Sequence, residues 1–217
     1  MQDPVTHFWE LRLGDVKETL EKNNFEVHIA ASREAAMKLV EETLLPKIAP
    51  ASVSWGGSKT FVQTGLYARM KTIEDLTVLD TYDPALTNDE KMERRRQSLL
   101  VDLFITGTNA ITANGHLVNL DMIGNRIAAL TFGPRHVIVL AGRNKLVADL
   151  EGAWERIKSY AAPVNSMRLD KKTPCASTGF CQDCKSPDRI CNTWTITEKA
   201  FPKGRVKVVL INDDLGF

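Results

Sequence analysis

Apolar positions along the chain fall into two alternating periods. Trp9, Leu13, Val16 and Leu20 step by four, three and four, which is one face of a helix closed at Asn23-Asn24. Phe25 to Ala30 then alternates like a strand, with His28 on its polar side. Ser32 is placed to cap a second helix that runs through Leu39, Val40 and Leu44 to Pro46. Strand patterns recur at 51–55, 76–79, 102–106 and 136–141, the last being the most apolar and therefore expected inside the sheet. Helical patterns lie between them: 61–67, the charged segment from Thr87 to about Leu100, Ile127 to Leu130, and Leu146 to Ile157 with Leu150 and Trp154 on its apolar face. Strands alternating with helices predict an α/β fold, a mostly parallel sheet with helices on both faces.

A polar, glycine-punctuated stretch interrupts this pattern at 105–130. Asn114-Gly115 alone would suffice as the turn of a β-hairpin. Here polar residues continue past it, through Asn119, Asp121, Gly124, Asn125 and Arg126, into a helix start. Strand ends that open into helices are where α/β proteins place ligands, because free backbone N–H groups gather there. A hairpin with polar decoration is the plainer reading. A second such place is Gly56-Gly57-Ser58-Lys59-Thr60, directly after a strand and before a helix. Glycines let backbone approach an anion, and hydroxyls of Ser58 and Thr60 can donate to it; a tight turn with a serine cap is the alternative. The spacing matches neither Gly-x4-Gly-Lys-Ser/Thr nor Gly-x-Gly-x-x-Gly. In a parallel sheet the strand ends near residues 56, 107 and 142 share one edge. That brings Ser58, Thr60, Thr108, Asn109 and Lys145 toward one crevice.

All four cysteines fall in one segment, spaced C-x5-C-x2-C-x6-C at Cys175, Cys181, Cys184 and Cys191. The segment is too rich in Gly, Pro, Ser and Asp to build a core. Four thiols in one loop-rich stretch suit a tetrahedral Zn²⁺ or an iron–sulfur cluster; free structural cysteines are the alternative. Only Cys181 and Cys184 form a close pair. Two such pairs would be usual for zinc, so the spacing favours [4Fe–4S]. Lys171, Lys172, Lys185 and Arg189 could offset the charge of the thiolates. The strands expected at 194–197 and 206–211 read as a C-terminal hairpin, the second an edge strand. The chain thus divides into 1–165, the α/β body, and 166–217, the cysteine-rich segment and last strands packed on the same domain.

At 217 residues the chain is long enough for one sizeable core. A net charge near +1 gives no reason to expect nucleic acid or an anionic membrane as partner, and Arg94-Arg95-Arg96 reads as a solvated helix face. No leader-like apolar run follows Met1, and no run approaches the length of a membrane span. The expectation is a cytoplasmic protein without direct membrane insertion, in a compartment where thiols stay reduced.

Taken together, Trp-Gly-Gly-Ser-Lys-Thr at 55–60, Gly-Thr-Asn-Ala-Ile-Thr at 107–112, Gly-His-Leu-Val-Asn-Leu-Asp at 115–121, Gly-Asn-Arg-Ile-Ala-Ala-Leu at 124–130, Phe-Gly-Pro at 132–134 and Thr-Pro-Cys at 173–175 resemble the lactate-utilisation (LUD) domain family, in its short group with a C-terminal cysteine motif. The resemblance implies a fold related to ribose-5-phosphate isomerase, NagB and the CoA transferases, and a link to lactate oxidation alongside iron–sulfur oxidoreductase subunits. On that reading the crevice takes a small anionic metabolite. Gly56, Gly57, Ser58, Lys59 and Thr60 hold its anionic end, with Gly107, Thr108, Asn109, Asn119, Gly124 and Asn125 around it. Arg126 is the clamp, since a guanidinium suits planar anions. Asp121 polarises or accepts a proton. A structural Asp121–Arg126 ion pair is the competing reading. Two other functions stay open. One is a CoA-transferase-like or sugar-phosphate-isomerase-like enzyme, against which stands Ala113-Asn114-Gly115 with no carboxylate where a transferase needs its glutamate. The other is a non-catalytic assembly subunit that uses the cysteines only for folding.

Overall fold

The computed structural model describes residues 3–217. In chain order it contains α1 (Pro4–Lys22), β1 (Glu26–Ala30), α2 (Arg33–Leu39), a π-helical turn at Val40–Leu44, α3 (Leu45–Ile48), β2 (Ser52–Trp55), α4 (Lys59–Gln63), α5 (Leu66–Met70) and β3 (Thr77–Leu79). There follow α6 (Asn88–Gln97), β4 (Leu103–Gly107), β5 (Ala110–Thr112), β6 (Leu117–Asp121), α7 (Asn125–Thr131), β7 (His136–Gly142) and β8 (Leu146–Val147). The chain then forms α8 (Leu150–Arg156), α9 (Ala162–Arg168), α10 (Pro174–Thr178), β9 (Thr193–Thr197) and β10 (Val206–Ile211).

Six strands form a wholly parallel sheet in the order β1-β10-β7-β4-β2-β3. Parallel strands covered on both faces read as continuous apolar runs, and β4, β7 and β10 are buried almost throughout. One face packs on Leu13, Val16 and Leu20 of α1, Leu130 of α7, and Ile111 and Leu117 of the second sheet. The other packs on Ala36 and Val40, Leu44, Phe61, Leu66 and Met70. The α/β expectation therefore holds, with helices on both faces. Because all six strands point the same way, Trp55, Gly107 and Gly142 do end on one edge.

The expected C-terminal hairpin does not form. β9 joins the smaller sheet, β8-β5-β6-β9, antiparallel to β6, while β10 crosses over and inserts between β1 and β7. An edge strand would leave one row of side chains and one row of N–H groups in water; here all six residues of β10 are buried. Even Lys207 is 3% exposed, its stem inside the sheet and its Nζ bonded to the Gly204 carbonyl. The helix expected from Leu146 begins later, at Leu150, capped by the Asp149 side chain, because Leu146 and Val147 pair with Ile111 and Thr112. Trp154 accordingly lies half exposed, stacked on Trp194 at 4.2 Å.

The turn at Asn114-Gly115 shows a close approach that requires glycine. Gly115 has φ +74°, and a Cβ there would stand 3.1 Å from the α1 backbone at Leu20. Asn23 at the end of α1 donates to the Asn114 carbonyl (3.0 Å), so the hairpin β5–β6 is pinned to the first helix. No helix among the described residues is long and apolar enough to cross a membrane.

Candidate functional site

The crevice sits where β2, β4 and β7 end. At the end of β2, Ser58 caps α4, its Oγ accepting from the Phe61 N–H (3.2 Å). Tyr82 closes the loop, receiving the Ser58 N–H (3.0 Å) and donating to the Gly56 carbonyl (2.7 Å). Thr60 is buried and donates to the Leu215 carbonyl (3.4 Å). Gly57 and Lys59 face solvent at the mouth. Gly107, at the end of β4, brings its backbone against this loop: a Cβ there would stand 2.8 Å from Ser58 Oγ and 3.3 Å from the Leu140 carbonyl. Gly107→Ala is therefore expected to cost about 1–3 kcal/mol by overpacking, read as a lower urea midpoint at unchanged slope.

Arg126, in the first turn of α7, is buried beneath these loops. A guanidinium has five N–H hydrogens, and here each meets a protein oxygen. Nη1 donates to Asn119 Oδ1 (2.6 Å) and the Gly107 carbonyl (3.1 Å), and Nη2 to Asn109 Oδ1 (2.7 Å) and the Leu120 carbonyl (3.0 Å). Nε points to Asp121 Oδ1 (3.3 Å), while Asp121 Oδ2 accepts the Arg126 backbone N–H (3.1 Å). Arg126 thus ties the ends of β4 and β6 and the start of α7 together; an incoming anion would have to displace one of these acceptors. Gly56 lies so close that a Cβ would stand 2.9 Å from Arg126 Cγ. Thr108 is also turned inward, donating to the Ala110 and Val118 carbonyls, and Asn109 Oδ1 additionally accepts the Leu120 N–H. Gly124 takes φ +86° to open α7, and Asn125 is the helix's first residue.

Two further cations, both largely buried, adjoin these loops. Lys145 follows β7, is 6% exposed, and donates to the main-chain oxygen of Phe217 (3.1 Å). Arg156 on α8 donates to the Asn144 and Asn109 carbonyls (2.9 and 2.7 Å). Burial, then the neighbouring Arg156 and Arg126 charges, push the Lys145 pKa down to about 7. Burial also lowers that of Arg156. An open cleft of about 680 Å³ adjoins them, lined among others by Asn144, Arg156, Tyr160, Asp214 and Gly216.

The cysteine segment makes a separate place. All four cysteines are free thiols and all four line one small cavity with Lys158, Ser166, Thr173 and Arg189. Arg189 folds the loop over it, donating to the carbonyls of Cys184 (2.6 Å) and Cys191 (2.9 Å) and to Asp183 (3.1 Å). Burial raises the Cys191 pKa against the pull of Lys158. Burial opposes the Lys158 charge, but its hydrogen bond to Asp183 and the nearby Cys181 hold its pKa above the ordinary value. Thr173 Oγ1 lies 3.3 Å from Cys175 Sγ, and Ser166 Oγ is buried on this cavity without a partner. A buried orphan hydroxyl facing four thiols fits an acceptor-rich sulfur centre. Among the described residues no three Cys, His, Asp or Glu side chains are gathered into the ligand shell of a single ion. Of the basic residues expected near the thiols, Arg189 lines the cavity; Lys171 and Lys172 pair with Asp188 and Asp170, and Lys185 is exposed.

The model of the LUD domain matches residues 13–211, nearly the whole chain. The chain belongs to the LUD domain family. It is thereby a lactate-utilisation-related protein. No curated protein matches it. Among solved structures, a DUF162 family protein from Deinococcus radiodurans is 14% identical over 94% of this chain and 97% of its own, at a TM-score of 0.48. Ribose 5-phosphate isomerase from Plasmodium falciparum is 16% identical over 53% of this chain and 54% of its own, at a TM-score of 0.31. A D-ribose-5-phosphate isomerase in complex with phospho-erythronic acid is 21% identical over 51% and 53%, at a TM-score of 0.30.

In this LUD domain, residues 56, 58, 60, 107, 109, 119, 121 and 126 do meet on one edge of the sheet. Tyr82 and Arg156 also belong there, though pattern alone does not point to them. Tyr82 sits in an ordinary Tyr-Asp-Pro turn, and Arg156 is one of several charges on a helix. Lys145 carried one legible signal, its place just beyond the most apolar strand.

Proposed function

We propose that this LUD-domain chain is a redox component of lactate utilisation, with the four-cysteine segment as its electron-carrying part and the sheet-edge crevice as its receptor for a small anionic metabolite. The observation that supports it most is the convergence of Cys175, Cys181, Cys184 and Cys191 on one cavity that also holds the partnerless Ser166 hydroxyl. The four thiols would hold a [4Fe–4S] cluster, which supplies one-electron transfer when bound. Lys158 and Arg189 offset thiolate charge, and Ser166 and Thr173 offer hydroxyl donors to sulfur. Ser58, Thr60, Lys145 and Arg156 give the crevice hydroxyls and positive charge for a carboxylate or phosphate.

Anaerobic purification tests this. The expected product is brown, absorbs at about 400 nm as iron–sulfur proteins do, and contains iron and sulfide in equal amounts. Cys184→Ser is expected to lose most of that iron. A colourless protein with stoichiometric zinc would instead favour a metal-stabilised assembly subunit, and a Cys184→Ser variant with full iron would end the assignment of the ligands.

A further inference from the structure

We propose that Ser166 sets the reduction potential of the centre held by the four cysteines, by donating its hydroxyl to an inorganic sulfide, a partner that an iron–sulfur cluster has and a single zinc ion lacks. The inference rests on the preceding reading of the cysteine cavity and deepens it, from the residues that bind the centre to the residue that tells one kind of centre from the other.

The first observation concerns the helix. A hydroxyl on a helical residue has an acceptor always at hand, a carbonyl three or four positions back. Thr19, Thr64, Ser98, Ser177 and Thr178 all take it, at 2.7–3.0 Å. Ser166, in α9, does not. It is fully buried, and its Oγ has no partner among the described residues. The backbone around it is fixed, since its carbonyl accepts the Lys171 N–H (2.9 Å). Leaving a buried hydroxyl without a partner is costly, so the side chain is placed for an acceptor that the chain itself does not supply.

The second observation concerns the cavity that Ser166 lines with the four cysteines. Lys158 and Arg189 on its wall carry donors only. The Asp183 carboxylate is already bonded by both, at 3.0 and 3.1 Å. A hydroxyl can engage a cysteine sulfur here, as Thr173 Oγ1 does with Cys175 Sγ at 3.3 Å. No cysteine sulfur does the same for Ser166 among the described residues. The missing acceptor therefore stands inside the cavity and belongs to no side chain.

The two centres differ in this respect. With zinc in a four-thiolate site, the only sulfur acceptors are those of the cysteines. A [4Fe–4S] core brings sulfides of its own, with lone pairs between the thiolates. Hydrogen bonds to those sulfurs favour the more negative, reduced form and raise the potential.

Ser166→Ala tests this in three measurements on the full chain. In anaerobically reconstituted protein, the variant should keep its iron. Its reduced-to-oxidised ratio at a given potential should fall about tenfold, which is about 59 mV in midpoint for one electron. After chelator stripping and loading with zinc, affinity should change by less than about twofold, against the ~10–100-fold that loss of an outer-shell partner costs. The metal-free variant should unfold at an equal or higher urea concentration, because it loses a hydroxyl that had no partner. An unchanged potential in a cluster-bearing variant would overturn the inference while leaving the cluster standing, and would assign the hydroxyl to water. A tenfold loss of zinc affinity would overturn it by assigning the hydroxyl to a cysteine sulfur, and a lower urea midpoint by assigning it to the protein. Failure of iron and sulfide to build any cluster would remove the cluster reading and this one together.

Discussion

Arg126→Met is expected to be the most damaging single change outside the apolar core, costing about 3–5 kcal/mol of unfolding free energy, the range seen when one partner of a buried charged network is removed. Methionine fills much the same space, so the loss would come from polar groups and not from a cavity. It would leave the carbonyls of Gly107 and Leu120 and the side-chain oxygens of Asn109 and Asn119 without their donor, and Asp121 without its counter-charge. Asp121 is 13% exposed and Arg126 9% at the side chain, so water replaces little of this. Arg126→Lys should recover only a fraction, because three hydrogens on one nitrogen cannot reach acceptors fanned around a plane. Urea titration of both variants checks it. A midpoint shift equivalent to less than about 1 kcal/mol for Arg126→Met would show that the network is solvated and that Arg126 is free to serve a ligand.

Lys145→Met is expected to do the opposite, raising stability by about 2–4 kcal/mol at neutral pH. The sign follows from linkage. The folded-state pKa of about 7 lies below the value near 10.4 of an unfolded lysine. Between those two values the unfolded chain holds a proton that the folded one does not. Stability from this residue therefore climbs with pH, by at most about 1.4 kcal/mol per unit. Below pH 7 the full penalty of a buried ammonium is present; by about pH 10 it has gone. The gain in Lys145→Met should accordingly shrink through that window and vanish at its top. Unfolding curves at several pH values would show it, and a gain independent of pH would mean that the amine is solvated through the cleft.

Both residues show how far local pattern reaches. The sheet was legible because each parallel strand is covered on two faces and so reads as an apolar run. The segment 206–211 was the exception. Its lysine and the preceding Pro-Lys-Gly made it look like the far arm of a hairpin, whereas Lys207 bends its ammonium out to the strand's start. At the site, glycine pairs and strand ends marked the loops that approach one another. Charge in a sequence carries no list of partners, so Arg126 read as a clamp although its acceptors come from four other residues besides Asp121. Lys145 is buried by Leu215 to Phe217, some seventy positions further on, and no window of neighbouring residues contains that cover.

The insertion of β10 also governs when this protein can finish folding during synthesis. Among the described residues β1 has β10 as its only strand neighbour, and β7 needs β10 along one whole side. A nascent chain that has not yet released residue 211 from the ribosome therefore holds its first strand outside the sheet, with the flank of β7 bare. Unpaired edges of that kind invite pairing with other chains. That flank is covered only once residues 206–211, which follow the cysteine segment, have slid between β1 and β7.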